Sequence, residues 1–239
     1  MKTIVYVDGL NLYYAALRGT PFKWLDLYAL FRDQVLEAGS ELELIRYYTA
    51  PVKGSSSDDR SSPIRQQRYL AALEACCGHR VQVNQGYIAR TTPFLRLVTS
   101  NKRESAPAKA KVKVFHFIEK QTDVNLASDL ISDAWLQRSE QAVVCSNDSD
   151  LVGALKAVRR DHPKIILGLV APVRDQRFVS CELRKLATWC KTIEATHLAK
   201  AQLPDKIPGT RLTRPPEWSG EAVNLASIPE PLLLPHSAA

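Results

Sequence analysis

The sequence predicts an α/β fold with a central, mostly parallel sheet flanked by helices. Two observations support it. Short runs rich in β-branched and aromatic residues alternate with segments of helical period that are ten or more residues long. Two of the runs, within 142–145 and 165–170, are apolar throughout, as expected for central strands covered on both faces. The length of 239 residues suits one domain of moderate size with an appendage.

Seven strands are predicted from these runs: Thr3–Val7, Glu43–Ala50, Val81–Ile88, Val112–Ile118, Gln141–Cys145, Lys164–Val170 and Thr192–Ala195. Four helices are predicted where apolar residues recur at intervals of three and four: Trp24–Leu36, Pro63–Cys77, Asp123–Leu136 and Asp150–Arg160. Because parallel neighbours need a crossover connection, the alternation of strands and helices indicates a parallel sheet.

Three segments interrupt this alternation. Residues 52–62 are rich in Ser and Asp and are predicted to form a mobile loop, and residues 99–111 are a basic insertion. Residues 201–239 hold seven of the fourteen prolines and have no apolar period. We therefore predict one domain over residues 1–195, followed by a Pro-rich tail at 196–239 that is disordered or loosely packed.

Composition argues against membrane and secreted classes. No run approaches the roughly 18 consecutive apolar residues that a membrane span needs, and the opening residues lack the features of a secretory signal. The five cysteines are an odd number without a CxxC pair or zinc-like spacing. Buried free thiols are the better interpretation, which favours a reducing compartment and hence a cytoplasmic location.

Acidic residues stand where predicted strands end. Asp8 ends the first strand, Asp123 opens the helix after the fourth, and Asp148 and Asp150 follow the fifth. Because the carboxyl ends of parallel strands meet at one edge of a sheet, we expect these side chains to lie close together. Taken singly, each has a structural alternative as a helix cap or an Asx turn.

Taken together, these carboxylates predict a divalent metal site. Gathered at one edge, they repel one another unless a cation neutralises them. Hard oxygen ligands without histidine or cysteine nearby select Mg²⁺ or Mn²⁺. Two such ions about 4 Å apart would suit the hydrolysis of a phosphodiester bond.

Spacing within the predicted helix after residue 122 separates two roles. Asp123 and Asp129 differ by six positions, or about 240° around the helix axis, so both cannot point straight at one ion. Asn125, Asp129 and Asp133 are spaced by four and share a face. We therefore predict Asp123 as a direct ligand. Asp129 is either an organiser of water beside the metal or a satisfied polar residue at the edge of the first strand.

The sequence resembles a NYN domain of the LabA-like branch of the PIN-like nuclease superfamily, over about residues 1–195. Three motifs carry the resemblance: Val7-Asp8-Gly9-Leu10-Asn11-Leu12, Thr122-Asp123-Val124-Asn125-Leu126-Ala127-Ser128-Asp129 and Cys145-Ser146-Asn147-Asp148-Ser149-Asp150-Leu151. The resemblance implies a three-layer, PIN-like Rossmannoid fold and a divalent-metal-dependent ribonuclease. By position, Asp8, Asp123 and Asp148 match the metal-binding acids, and Asn11, Asp129 and Asp150 match polar positions around them. Asn147 stands where the family often has Gly.

Positive charge is concentrated in one part of the chain. Residues 90–120 contain eight basic and two acidic residues, nearly the whole of the net charge of +7. A basic segment beside an acidic metal site suits a polyanion, and RNA is the predicted partner ahead of DNA. The predicted phosphate contacts are Lys102, Arg103, Lys109 and Lys111, with Arg65 and Arg68 on a preceding helix. The alternative is a solvated loop whose lysines keep the protein soluble.

Other chemistries lack their motifs. The sequence has no GxSxG elbow, no GxxxxGK[ST] loop and no GxGxxG loop, and its five histidines are scattered. The leading hypothesis is therefore a nuclease that depends on Mg²⁺ or Mn²⁺. The alternative is a catalytically weak or inactive regulator that uses the same fold to bind RNA or protein. A homodimer remains open at this stage.

Overall fold

A computed structural model describes residues 1–52, 59–97, 111–173 and 179–219 of the chain. Within these residues the strands are β1 (Lys2–Asp8), β2 (Glu41–Thr49), β3 (Val81–Gln85), β4 (Tyr87–Thr91), β5 (Phe94–Arg96), β6 (Lys111–Lys113), β7 (His116–Lys120), β8 (Gln141–Cys145), β9 (Ile166–Ala171) and β10 (Trp189–Thr192). Six of them form the central sheet in the order β10-β9-β8-β1-β2-β3, and every neighbouring pair is parallel. The predicted α/β fold with a parallel sheet is confirmed.

The helices are α1 (Gly9–Leu12), α2 (Leu27–Ala29), α3 (Ser62–Cys77), α4 (Thr122–Trp135), α5 (Val152–Asp161), α6 (Cys181–Leu186) and α7 (Ala195–Lys200). Helix α1 continues as a π-helix over Tyr13–Leu17, and α2 does so over Leu30–Val35. The helix predicted at Trp24–Leu36 is therefore shorter than expected, and its second part is a π-helix. The other three predicted helices lie within two residues of their observed bounds.

Helices cover both faces of the sheet, and alternate residues of β1 show this. Val5 and Val7 belong to a core with residues of α3 and of the helical segments between residues 9 and 35. Ile4 and Tyr6 belong to a second core with residues of α4, α5 and α6. Because side chains alternate along a strand, the central strand serves both cores. The result is the predicted three-layer arrangement.

Two predicted strands are each divided in the structure. The segment Val81–Ile88 is split at Gly86 into β3 and β4, and Val112–Ile118 is split between β6 and β7. A Cβ at Gly86 would lie 2.3 Å from the carbonyl oxygen of Lys120, so only glycine permits this close approach. Beyond Gly86, β4 pairs with β7 and β5 with β6, both antiparallel and outside the central sheet. We call residues 87–97 and 111–120 the ribbon.

The C-terminal segment also differs from its prediction. Leu198, Leu203 and Ile207 are buried in the core that contains α3. Trp24 Nε1 donates a hydrogen bond to the carbonyl oxygen of Pro204 at 2.9 Å. The boundary predicted at residue 195 therefore does not match the packing, because the prolines of this segment stand between apolar residues that reach the core. Residues 220–239 of the predicted tail lie outside the described residues.

Three smaller findings complete the fold. No helix in the described parts of the chain is long and apolar enough to cross a membrane. All five cysteines are free; Cys77 and Cys145 are buried as expected, whereas Cys181 is exposed. The last strand is Trp189–Thr192 rather than the predicted Thr192–Ala195, so its start was misplaced by three residues.

Candidate active site

An open cavity of about 480 Å³ lies where β1 and the turn after β8 meet the start of α4. It brings together the three predicted metal ligands, one from each of these elements. The lining residues are Asp8, Leu10, Asn11, Tyr14, Ala15, Glu119, Thr122, Asp123 and Asp148. The cavity thus lies at the carboxyl edge of the parallel sheet, where α/β proteins commonly bind ligands.

Asp8 is the most buried carboxylate of the cavity, with 5% of its surface exposed. Its Oδ1 accepts a hydrogen bond from the backbone N–H of Asn11 at 2.9 Å and caps α1. Its Oδ2 accepts from Ser146 Oγ, also at 2.9 Å. Burial raises the pKa of Asp8 above its usual range and the charge of Asp148 adds to this rise, while the two hydrogen bonds oppose it.

The residue after Asp8 must be glycine for the turn to close. A Cβ at Gly9 would lie 2.6 Å from both the ring of Tyr47 and the carbonyl oxygen of Tyr48. Both contacts belong to β2, the parallel neighbour of β1. The close approach of β2 therefore fixes the direction in which the chain leaves Asp8.

Ser146 links Asp8 to Asp148. While its hydroxyl donates to Asp8, its Oγ accepts from the backbone N–H of Asp148 at 3.0 Å. One oxygen of Asp148, Oδ1, accepts from the backbone N–H of Asp150 at 2.9 Å and caps a short 3₁₀ turn over Ser149–Leu151. Asp148 therefore forms the Asx turn given as its structural alternative, and it also lines the cavity.

Asp123 lies in the first turn of α4 and is surrounded by other acids. Burial raises the pKa of Asp123 to about 6, and the charges of Asp8, Asp148, Glu119 and Asp150 add to the rise in that order. No lysine or arginine is among the described residues that line the cavity. The carboxylates here therefore repel one another without a compensating cation from those residues.

Glu119 also lines the cavity and is not among the predicted site residues. It lies in β7, and its Oε1 accepts from the backbone N–H of Thr122 at 2.9 Å. Between them Gln121 adopts φ 80°, a left-handed conformation that is uncommon for residues other than glycine. The sequence did contain a signal for Glu119. This residue directly follows the predicted strand Val112–Ile118, just as Asp8 stands at the end of the first predicted strand.

Asn11 positions the turn after β8. Its Oδ1 accepts from the backbone N–H of Asn147 at 3.1 Å, and Asn147 Oδ1 accepts from the backbone N–H of Ser180 at 2.7 Å. The two asparagines thus connect the start of α1, the turn that carries Asp148 and the start of α6. The Asn at 147, where the family often has Gly, has a structural use here.

Asp129 and Asp150 do not line the cavity. Asp129 accepts from Tyr48 Oη at 2.7 Å, and its Oδ2 lies 3.6 Å from a guanidinium nitrogen of Arg46. Two roles were predicted for Asp129, an organiser of water beside the metal or a polar residue satisfied within the protein. These contacts match the second role. Asp150 is exposed, but it is close enough for its charge to raise the pKa of Asp123.

The predicted phosphate contacts fall in three groups. Arg65 forms ion pairs with Asp59 and with Glu217, so its charge is compensated within the protein. Arg68 is partly exposed on α3, and Lys111 is exposed on β6. The remaining three, Lys102, Arg103 and Lys109, lie outside the described residues.

Comparison with known proteins identifies the family. The sequence model of the NYN domain matches residues 2–193. The chain belongs to the NYN domain family. NYN domains are part of the PIN-like superfamily, and the LabA-like branch stays a prediction.

Two similar proteins carry different descriptions. The 6-hydroxy-3-succinoylpyridine 3-monooxygenase HspA of Pseudomonas putida (strain DSM 28022 / S16) is 34% identical over 246 residues, which cover 95% of this NYN protein and 78% of HspA. A solved structure, a protein of unknown function, VPA0982, from Vibrio parahaemolyticus RIMD 2210633, has 17% identity and a TM-score of 0.45. That match covers 81% of this chain and 93% of VPA0982.

The carboxylates of this NYN domain fit Mg²⁺ or Mn²⁺ in their chemistry. Among the described residues, no three His, Cys, Asp or Glu side chains are placed to hold one ion directly. Mg²⁺ does not need such a cage, because it keeps several waters and binds proteins through one or two carboxylates. The raised pKa values of Asp8 and Asp123 mean that their charged forms are costly without a cation.

Proposed function

We propose that this NYN domain is a divalent-metal-dependent nuclease that hydrolyses phosphodiester bonds of RNA. The observation that carries the proposal is the acidic cavity, in which Asp8, Asp123, Asp148 and Glu119 meet without a lysine or arginine among the lining residues. A set of oxygen donors that repel one another favours a hard cation. The NYN family and its place in the PIN-like superfamily support the nuclease class.

Asp8, Asp123 and Asp148 are the residues that would hold the ion, in part through the waters that Mg²⁺ keeps when it binds a protein. When bound, Mg²⁺ or Mn²⁺ supplies an activated water and neutralises charge on the scissile phosphate. Ser146 fixes the spacing of Asp8 and Asp148 through its two hydrogen bonds. Asn11 holds the turn after β8 in register with α1.

Asp123 couples the site to pH. With a pKa near 6, its carboxyl group holds a proton below that value and must lose it before it can act as a ligand. Metal affinity should therefore fall as the pH drops through 6. Glu119 contributes to this behaviour, because its charge is one of those that raise the pKa of Asp123.

RNA is proposed as the substrate because the protein is basic outside the cavity. The net charge is +7, and five exposed cations lie on the ribbon, whose strand β7 contains Glu119. Cations that hold backbone phosphates beside an acidic metal site place the scissile bond without neutralising the metal ligands. A cytoplasmic location and a homodimer remain predictions that accompany this proposal.

HspA favours a second candidate function. A protein that is 34% identical over 95% of this chain is named a monooxygenase acting on 6-hydroxy-3-succinoylpyridine. In this second candidate, the same cavity takes an aromatic substrate instead of a nucleic acid. Such a reaction needs O₂ and a two-electron donor, so it can be tested separately from hydrolysis.

The experiment compares wild type with Asp8→Asn and Asp148→Asn. Labelled RNA and DNA are incubated with Mg²⁺, with Mn²⁺ and with a chelator. The matched control is Asp33→Asn, which removes an exposed carboxylate that does not line the cavity. Wild type and the control should cleave RNA only with metal, and the two cavity variants should be slower by at least about a hundredfold.

Two results would overturn the nuclease proposal. If the cavity variants cleave as well as wild type, the activity does not arise at this site. If wild type cleaves neither polymer but, given NADH and O₂, consumes 6-hydroxy-3-succinoylpyridine and incorporates one oxygen atom from labelled O₂ into the products, the monooxygenase takes its place. Tight binding of RNA without either activity would instead support the alternative of an inactive, RNA-binding regulator.

A further inference from the structure

The ribbon leaves the central sheet at Gly86 and ends just before α4. Its inner part pairs β4 with β7 over five residue pairs, and its outer part pairs β5 with β6 over three. The two parts are joined by a hydrogen bond from Val114 N–H to the carbonyl oxygen of Pro93 at 3.1 Å. The ribbon is therefore one continuous antiparallel arm whose strands belong to no larger sheet among the described residues.

Exposed apolar side chains are concentrated on this arm. Of the twelve large hydrophobic residues exposed in the described parts of the chain, six lie on the ribbon: Tyr87, Phe94, Leu95, Leu97, Val112 and Phe115. Phe94 and Phe115 are the most exposed of these, at 64% and 65%. Several exposed apolar side chains on one element are typical of an interaction site.

The same arm is basic. Five cations, Arg90, Arg96, Lys111, Lys113 and Lys120, stand against one acid, Glu119, which gives the 21 ribbon residues a net charge of +4. Within the described ranges none of the five takes part in an ion pair. The guanidinium carbon of Arg90 lies 4.0 Å from the centre of the Phe115 ring. Cations and aromatic rings therefore occur together on the arm.

Register places an aromatic ring and three cations on one face of the outer part. Phe94 is directly opposite Lys113, and Arg96 is directly opposite Lys111. Residues opposite each other in an antiparallel pair share a face, and so do residues two apart along a strand. This face combines a surface on which a base can stack with cations that can contact phosphates.

The inner end of the arm is part of the acidic cavity. Glu119 lies in β7, and it also lines the cavity with Asp123. Eight residues separate Lys111 from Glu119 along the chain, and at a strand rise of 3.3 Å they span at most about 26 Å. One extended polymer could therefore contact the outer face and reach the cavity at the same time.

We propose that the ribbon binds single-stranded RNA and guides it to the acidic cavity. The identity of the polymer rests on the function proposed above. A polyanion matches the charge of +4, whereas a second copy of this chain would bring more positive charge to the same face. Stacking on Phe94 or Phe115 needs bases that are not paired, so a single strand fits better than a duplex.

The test measures binding without cleavage. A labelled single-stranded RNA of about 20 nucleotides, longer than the site of a single small binding module, is titrated by fluorescence anisotropy in a chelator. Phe94→Ala and Phe115→Ala should each weaken binding about tenfold, since a stacked base contributes roughly 1–3 kcal/mol. The matched control is Trp135→Ala, an aromatic residue equally exposed elsewhere, which should bind as wild type does.

A second pair of variants tests the cations. Arg96→Ala and Lys113→Ala should each lower the slope of log affinity against log salt by about 0.7, the value for one phosphate contact on a single strand. Lys156→Ala, on the exposed face of α5, should leave the slope unchanged. All the substituted side chains are partly or fully exposed, and equal melting temperatures would verify that the variants fold.

The outcomes separate this inference from the nuclease proposal. If wild type binds RNA through the ribbon but cleaves none, the ribbon inference holds and the nuclease proposal fails. If wild type cleaves RNA while the four ribbon variants bind single strands as tightly as it does, the ribbon inference fails and the nuclease proposal stands. Tighter binding of a duplex of the same sequence, or loss of self-association in the variants without loss of RNA affinity, would also overturn it.

Discussion

Helix α4 carries two groups of acids whose surroundings are opposite. At its first turn, Asp123 meets Asp8, Asp148 and Glu119 in a cavity without a lysine or arginine among the described lining residues. Two to three turns further on, Asp129 and Asp133 meet the side chains of β1, β2 and the segment after α4. There, each carboxylate accepts a hydrogen bond from a tyrosine and lies beside an arginine.

The partners of Asp133 are complete for a buried carboxylate. It accepts hydrogen bonds from Tyr6 Oη at 2.9 Å, from Arg46 Nε at 2.9 Å and from Arg138 at 3.0 Å. Arg46 also reaches Asp129, which Tyr48 holds from the other side. Burial, together with the neighbouring carboxylates, raises the pKa of both tyrosines well above the usual range, so they remain neutral donors.

The difference shows how the two kinds of acid can be told apart. A carboxylate that the protein neutralises contributes to the fold, because its charge is already paired. A group of carboxylates that the described residues leave without a cation lowers stability, and such a cost is typical of a functional site. The same helix thus supplies a structural pair of acids and a candidate metal ligand.

The largest expected effect compares one acid from each group. Asp123→Asn should reduce metal-dependent RNA cleavage by at least about a hundredfold, because it removes a ligand charge from the cavity. Asp129→Asn keeps an oxygen that can accept from Tyr48, and its rate should stay within a few-fold of wild type. Single-turnover cleavage measures both. Equal losses in the two variants would break the distinction between the groups.

The second prediction concerns stability. Arg46→Ala should lower the free energy of unfolding by about 3 kcal/mol, because it leaves the buried Asp133 without its main charge partner. Arg138→Ala removes a guanidinium that is half exposed, and it should cost about 1 kcal/mol or less. Urea denaturation at pH 7 gives both values. Equal losses of stability in the two arginine variants would contradict the assignment of Arg46 as the main charge partner of Asp133. The distinction between the two groups of acids would then be weaker.

The smallest expected effect is a pH dependence at Asp123. Its pKa is about 6 in the folded protein and about 4 in an unfolded chain, so the folded state binds the proton more tightly. Metal-free wild type should therefore lose stability as the pH rises from about 4 to about 6, and the penalty should persist above that range.

Asp123→Asn has no such penalty. Without metal, the variant should match wild type at pH 4 and exceed it by about 1 kcal/mol at pH 7, a value already reduced for screening by water. Added Mg²⁺ should stabilise wild type only and remove the difference. Urea titrations between pH 4 and pH 7 test this, with Asp33→Asn as an exposed control. A variant that is less stable than wild type at pH 7 would contradict the repulsion described at the cavity.

The part of the site that the sequence predicted depends on local rules. Asp8, Asp123 and Asp148 follow or begin elements that can be read from short patterns, and parallel strands bring such positions to one edge. The spacing of four between Asp129 and Asp133 also placed them on one face. Their partners Arg46 and Tyr48 come from a strand more than 80 residues away, which no local pattern reveals.

The misread elements depend on contacts that are distant in sequence. The ribbon begins where Gly86 meets the backbone of Lys120, so a segment predicted as one strand is divided by a contact 34 positions away. The residues after 195 were predicted as loose because half of the fourteen prolines lie there and no apolar period is present. Their apolar neighbours pack on a core that includes Trp24, and the distance in sequence hides this.

The packing of Trp24 has a consequence for how the protein is made. Its indole N–H bonds to Pro204, and the backbone N–H of Leu203 donates to the carbonyl oxygen of Trp24 at 2.9 Å. Translation proceeds from the N-terminus, so some 180 further residues must be synthesised after Trp24 before its partner Pro204 is present. A nascent chain stopped before residue 203 therefore exposes an unfinished core, and this domain can complete its folding only after Leu203 and Pro204 have been synthesised.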